Sequence, residues 1–133
     1  MRVTGNRIFS TTFESPPTVQ LHTRGRRSGV IRSCLLVAPI YDEHRVVLVA
    51  AKGGDDRNPD WYANLVAHAE VELVINGQRS RFRARTATGT ERAELWPRIV
   101  KTYRRYGWYQ QRTTREIPVV VCESTGEIHS SPA

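Results

Sequence analysis

Residues 23 to 29 read TRGRRSG, and the apolar stretch VIRSCLLVAPIY follows at once. Arg24, Arg26 and Arg27 crowd around two glycines, and Arg32 stands just inside the apolar stretch. Gly25 and Gly29 let backbone N–H groups converge, and Arg26, Arg27 and the Ser28 hydroxyl lie beside them. Such a turn suits a phosphate or carboxylate, because charge-assisted hydrogen bonds to those groups are short and strong. Lys52, at the end of a later strand, is placed to reach the same anion. The competing reading is a solvated basic hairpin tip, and spacing alone does not separate the two.

Other chemistries lack their parts. His22, His44, His68 and His129 are scattered, no GxSxG elbow or HExxH pair exists, and the turn lacks the GxxxxGK[ST] spacing of a phosphate loop. Cys34 and Cys122 lie far apart in apolar runs with neither a CxxC pair nor zinc spacing, so buried reduced thiols are expected. An enzyme built from these residues needs a bound cofactor to carry its reaction.

The chain has 133 residues, 39% hydrophobic and 25% charged, which suits one domain with a single core rather than disorder or a coiled coil. Lys and Arg outnumber Asp and Glu by 20 to 13, and the net charge of +7 favours anionic partners. No stretch approaches a membrane span and no apolar segment follows the first residues, so a cytoplasmic location is expected.

The elements that must hold these residues follow from pattern. Residues 1–18 are read as an arm whose Val3, Ile8, Phe9 and Phe13 are free to dock, 19–124 as the folded domain, and 125–133 as a loose tail. Three strands come first: VQLHT, VIRSCLLVAPIY and RVVLVAA. In NPDWYANL, Asn58 is expected to cap a short helix with Pro59 at its first position, and Trp61, Tyr62, Leu65, Val66 and Ala69 share one face.

Next comes a hairpin. Asn76-Gly77 divides two alternating runs as a type I′ turn, which pairs Val71 with Phe82, Glu72 with Arg81 and Glu70 with Arg83. The arginines of RSRFRAR are thus cross-strand charge partners, and the absence of interleaved exposed aromatics argues against a nucleic-acid module. Thr88 and Glu91 have capping-box spacing at the start of a longer helical stretch. Pro97 is expected to kink or restart that stretch. Tyr103, Tyr106 and Tyr109 recur at threes, and IPVVVCE closes the fold as a buried strand. The sum is an α+β, mainly β chain of about six mostly antiparallel strands, best buried as a small barrel with outer helices.

Five segments, TRGRRSGVIR, VAAKGG, RNPDWYANL, RARTATGTERAELWPRIV and RTTREIPVVV, resemble in order and spacing the deazaflavin-dependent nitroreductase family of actinobacteria. The likeness spans about Val19 to Glu123. It implies a split β-barrel like that of flavin reductases, coenzyme F-420 as cofactor, and hydride transfer to a quinone, enone or nitroaromatic acceptor. By the same resemblance, Arg26, Arg27 and Ser28, joined by Arg32 and Lys52, clamp the cofactor's phosphate and polyglutamate tail. Ser33, Cys34, Leu35, Leu36 and Val37, with Val49, Ala50 and Ala51, line the deazaflavin ring. Asp60, Trp61, Tyr62 and Asn64 close over it, and Tyr103, Tyr106 and Tyr109 wall the substrate space, with Tyr106 also near the cofactor. No single catalytic residue is assigned.

Two departures remove hydroxyls near the expected ring: Ala51 stands where relatives carry a serine, and Val37 where they carry a tyrosine. A non-catalytic deazaflavin carrier or store is therefore the alternative function. The family's membrane-associating first segment is poorly matched by residues 1–18, although a basic face suits weak contact with anionic lipid.

Overall fold

The computed structural model describes residues 17–42 and 44–127. The expected N-terminal arm up to residue 16, and His129 with the rest of the tail, lie outside them. Seven strands, one 3-10 turn and three helices follow in order. These are β1 (Thr18–Arg24), β2 (Ile31–Val37), β3 (Ile40–Tyr41), β4 (Arg45–Val49), the turn Lys52–Gly54, α1 (Asp60–Ala67), β5 (Glu70–Ile75), β6 (Gln78–Thr86), α2 (Gly89–Thr102), α3 (Arg105–Gln111) and β7 (Val119–Glu127).

The strands form one antiparallel sheet in the order β2-β1-β5-β6-β7-β4-β3. Its two edge strands, β2 and β3, are separated in sequence only by Ala38 and Pro39. A flat sheet of that width would hold its edges about 29 Å apart, whereas the links from Val37 to Ile40 reach only about 11 Å. The sheet must therefore curl until its edges meet, giving the barrel expected from the pattern. The seventh strand arises here, because the run expected as one strand divides at Pro39. That residue has no N–H to donate and breaks the ladder, while the Ala38 N–H donates to Pro17 O at 2.9 Å.

Strand alternation then builds two cores. Val46 and Leu48 of β4, and Val120 and Cys122 of β7, point into the barrel with Val19, Leu21, Val71, Leu73 and Phe82. Their neighbours Val47, Val49, Val119 and Val121 point outward against Leu95, Ile99 and Tyr106 of the outer helices. Burial on both faces explains why these strands read as unbroken apolar runs.

The hairpin forms in the expected register, with positive φ at Asn76 (53°) and Gly77 (78°). Glu70 and Arg83 pair at 3.7 Å. Glu72 instead meets the diagonal Arg79 at 2.6 Å rather than Arg81, a reach that sheet twist brings within range.

Four helix expectations are corrected. Pro59, extended at φ −66° and ψ 154°, is the residue before α1, so Asn58 lies too far out to cap it. Val66 is 61% exposed, and Asn64 takes a buried place beside Leu65. Thr88 makes no side-chain cap, and Glu91 is drawn to Arg85 instead, accepting from its Nη2 at 3.0 Å. Pro97 lies within α2 without ending it, and the break falls at Tyr103. Both Pro97 and Ala93 are exposed, so the carbonyl that proline leaves unbonded is solvated. Finally, β7 continues past Glu123 to Glu127, because the nine-residue β6 still offers partners there.

Leu48 is fully buried inside the barrel. Leu48→Ala is expected to lower the unfolding free energy by about 2–5 kcal/mol, read as a shift of the urea midpoint at unchanged slope.

Candidate functional site

The turn between β1 and β2 is held by its own backbone. Gly25 N–H donates to Val30 O at 2.8 Å and Gly29 N–H to Gly25 O at 2.9 Å, while the Ser28 hydroxyl accepts from Val30 N–H at 3.1 Å. Gly29 has φ +75°, and a Cβ on Gly25 would come within 2.8 Å of Ser28 Oγ. The positive φ makes glycine the fitting residue at 29, while a side chain at 25 would displace the Ser28 hydroxyl and crowd Val30 O at 3.1 Å.

Asn64 anchors the turn to α1. Its Oδ1 accepts from the Arg26 backbone N–H at 3.1 Å and from Arg26 Nη1 at 2.8 Å. Its Nδ2 donates to Thr23 Oγ1 at 3.5 Å. Asn64 and Thr23 are the buried polar residues among those described, and each satisfies the other's hydrogen bonding.

The arginines divide. Arg24 donates to Gly29 O at 3.2 Å, and Arg26 is engaged by Asn64 and by Asp60 at 3.5 Å. Arg27 and Arg32 have no hydrogen-bond or ion-pair partner among the described residues. They line a cleft of about 490 Å³ with Thr23, Gly25, Arg26, Ser28, Ser33, Cys34, Asp60, Trp61 and Asn64. That volume lies within the range of small-molecule sites. Arg32 and Cys34 reach it from the inner face of β2, since they pair with Thr23 and Leu21, whose side chains point inward. Cys34 is half-buried rather than fully buried, and burial raises its thiol pKa; in the core, the Cys122 thiol is pushed up to about 12 by burial.

Nine of the expected cofactor residues thus converge. Gly25, expected as part of the turn, also lines the cleft; Thr23 was missed, because nothing in its residue type marks a cleft wall. The remaining expected residues lie elsewhere. Leu35 is 69% exposed on the outer face of β2, while Leu36 packs toward the barrel core. Tyr62 is tied by its hydroxyl to Thr86 Oγ1 at 2.7 Å.

Ala51 and Val49 belong to the outer core together with Tyr103, Tyr106 and Tyr109. The tyrosines form an edge-to-face ladder, with ring centroids 5.0 and 6.2 Å apart. Lys52 does not end β4 but begins the 3-10 turn, with φ 47°, and Gly53 and Gly54 follow at 63° and 84°. The backbone N–H groups of Ala51, Lys52 and Gly53 have no acceptor among the described residues. Turn and tyrosines meet at Gly54, where a Cβ would lie 2.8 Å from Tyr109 O. β2 and β3 are the two edge strands and β2 and β4 do not pair, so the barrel is split between its edges.

Burial pushes the Tyr106 phenol from 10.0 up to about 12, with Tyr103 and Tyr109 adding to the shift. A raised folded-state pKa contributes stability that is whole below pH 10 and is lost as pH climbs toward 12. Tyr106→Phe should therefore lose less stability than the parent over that window, as read by denaturant unfolding. Asn64→Ala leaves buried donors without an acceptor and is expected to cost about 1–3 kcal/mol, measured by thermal and urea unfolding.

Among the described residues no cluster of histidine, cysteine or carboxylate side chains could hold a metal, and no helix is long and apolar enough to cross a membrane. Comparison with known proteins identifies the family. The family described as F420H(2)-dependent quinone reductase matches residues 1–124. An F420H(2)-dependent quinone reductase of Mycobacterium tuberculosis is 37% identical over 123 residues, covering 90% of this chain and 82% of that protein. A solved structure described as an F420-H2 dependent reductase superposes with a TM-score of 0.73 at 32% identity, covering 85% of this chain and 99% of that one. Another, described as a domain-swapped dimer, gives 0.74 at 33% identity over 84% of each chain. This chain belongs to the F420H(2)-dependent quinone reductase family, and is a deazaflavin-dependent oxidoreductase whose cofactor is reduced coenzyme F-420.

Proposed function

We propose that the chain reduces a small quinone-type acceptor, holding the anionic tail of F-420 on Arg27 and Arg32. The observation that carries this reading is that these two guanidinium groups face a cleft walled by Trp61 while nothing in the described fold pairs them. A fold that needed them for stability would have given them acceptors, as it does for Arg24 and Arg26. The cleft fits the group: two free cations suit phosphate and carboxylate, and the Trp61 indole supplies an apolar wall.

When bound, the reduced deazaflavin supplies a hydride to an electrophilic acceptor. The protein's part is placement and exclusion of water. The Ala51 to Gly53 amides and the Lys52 ammonium offer hydrogen-bond donors at the end of β4, on the far side of the split from the arginine cleft. Tyr103 and Tyr109, half-buried beside the buried Tyr106, form the acceptor wall. The Tyr106 phenol is held protonated at neutral pH, so it serves as a hydrogen-bond donor and not as a base. The net charge of +7 and the 62% exposed Trp108 suit weak contact with an anionic membrane surface.

Purified protein titrated with oxidised and reduced F-420 should show a change in tryptophan fluorescence through Trp61, and should consume reduced F-420 steadily with menadione. No fluorescence change defeats the reading, and binding without turnover converts it to a cofactor carrier. Arg27→Ala and Arg32→Ala should each weaken cofactor binding about tenfold with the melting temperature unchanged.

A further inference from the structure

The loop from Ala50 to Pro59 carries Lys52 on one side of the proposed cofactor groove and leads into α1, with Asp60, Trp61 and Asn64, on the other. Three successive residues of it, Lys52, Gly53 and Gly54, have positive φ. For lysine that conformation is disfavoured, and within the loop two backbone bonds oppose its relaxation, Gly54 N–H to Ala51 O at 2.9 Å and Asp55 N–H to Lys52 O at 3.0 Å.

We propose that Arg115 is a positioning residue for the cofactor groove, fixing the Lys52 loop against the start of α1. Arg115 Nε donates to Asp55 O at 2.8 Å and Nη1 to Asn58 Oδ1 at 2.7 Å. Its Nη2 donates to Ala51 O at 2.9 Å and Ala50 O at 3.3 Å. One guanidinium thus grips both ends of the loop, from the last residues of β4 to the approach to α1. Thr113 adds a clip two residues earlier, its hydroxyl donating to Asp56 Oδ1 at 2.8 Å. None of the four Arg115 acceptors is a carboxylate, so the residue is not there to neutralise a charge. It supplies a planar fork whose donors point in several fixed directions, which an ammonium cannot copy.

The inference rests on the proposed reading that Lys52 and the start of α1 flank the F-420 groove. The Arg115 bonds are made to the backbone of Ala50, Ala51 and Asp55, so their loss frees Lys52 to leave the left-handed region. The barrel cores, which Arg115 does not enter, keep their packing.

The test uses the full chain with Arg115→Gln, Arg115→Lys and, as a milder change, Asn58→Ala. Hydrogen exchange at residues 51–57 should speed up in Arg115→Gln while the amides of β5 and β6 stay protected. The Kd for oxidised F-420, read by tryptophan fluorescence, and the KM for reduced F-420 should rise about tenfold, with the KM for menadione unchanged. Arg115→Lys should fail to restore them. Asn58→Ala, which removes one hydrogen bond and leaves the rest, should weaken binding about threefold. Wild-type binding retained in all three variants, or a lowered melting temperature at unchanged Kd and KM, overturns the role of Arg115 alone. Failure of the parent protein itself to bind F-420 defeats the groove assignment and this inference with it.

Discussion

Two residues, Ala38 and Pro39, join strands that lie at opposite edges of a seven-stranded sheet. Everything else in the molecule answers to that short link. The sheet has to curl, β4 and β7 have to bury both faces, and the helices have to cover the outer one. The link also decides where the barrel opens. β2 and β4, on either side of the link, do not pair with each other; the cleft cations belong to β2 and the turn before it, while the turn beyond β4 meets the tyrosine ladder at Gly54.

That opening gives the basic residues distinct tasks. Arg24 and Arg26 are engaged within the fold, Arg24 by a turn carbonyl and Arg26 by Asn64 and Asp60. Arg27 and Arg32 are exposed and without such acceptors among the described residues. The buried Asn64 is satisfied in the same way, its Oδ1 by Arg26 and its Nδ2 by Thr23. Such internal bonding suits a reaction whose difficult chemistry resides in the cofactor and whose protein must supply position.

The aromatic end is organised by packing. Tyr106 sits among Val47, Ile99 and Val119 on the outside of the barrel, and the ladder through Tyr103 and Tyr109 hangs on it. Gly54 admits this arrangement by letting the 3-10 turn lie against the Tyr109 carbonyl. The tyrosine ladder is thus tied to the outer core, while the cationic cleft belongs to the first hairpin and α1.

Short-range features were legible in the residues alone. The Asn76-Gly77 register, the glycine-framed basic turn and the alternation of the strands are set by contacts a few residues apart, which local chain geometry dictates. Five ordered segments likewise sufficed to indicate the cofactor class. Tertiary structure alone decided which arginines are engaged and which remain free, that the second strand divides at Pro39, and that Tyr62 turns away to Thr86. It also decided that Thr88 and Asn58 do not cap the helices they precede. The physical reason is separation along the chain. Asn64 meets Arg26 from 38 residues away, and such partners are selected only when the sheet closes and brings distant side chains to a single corner.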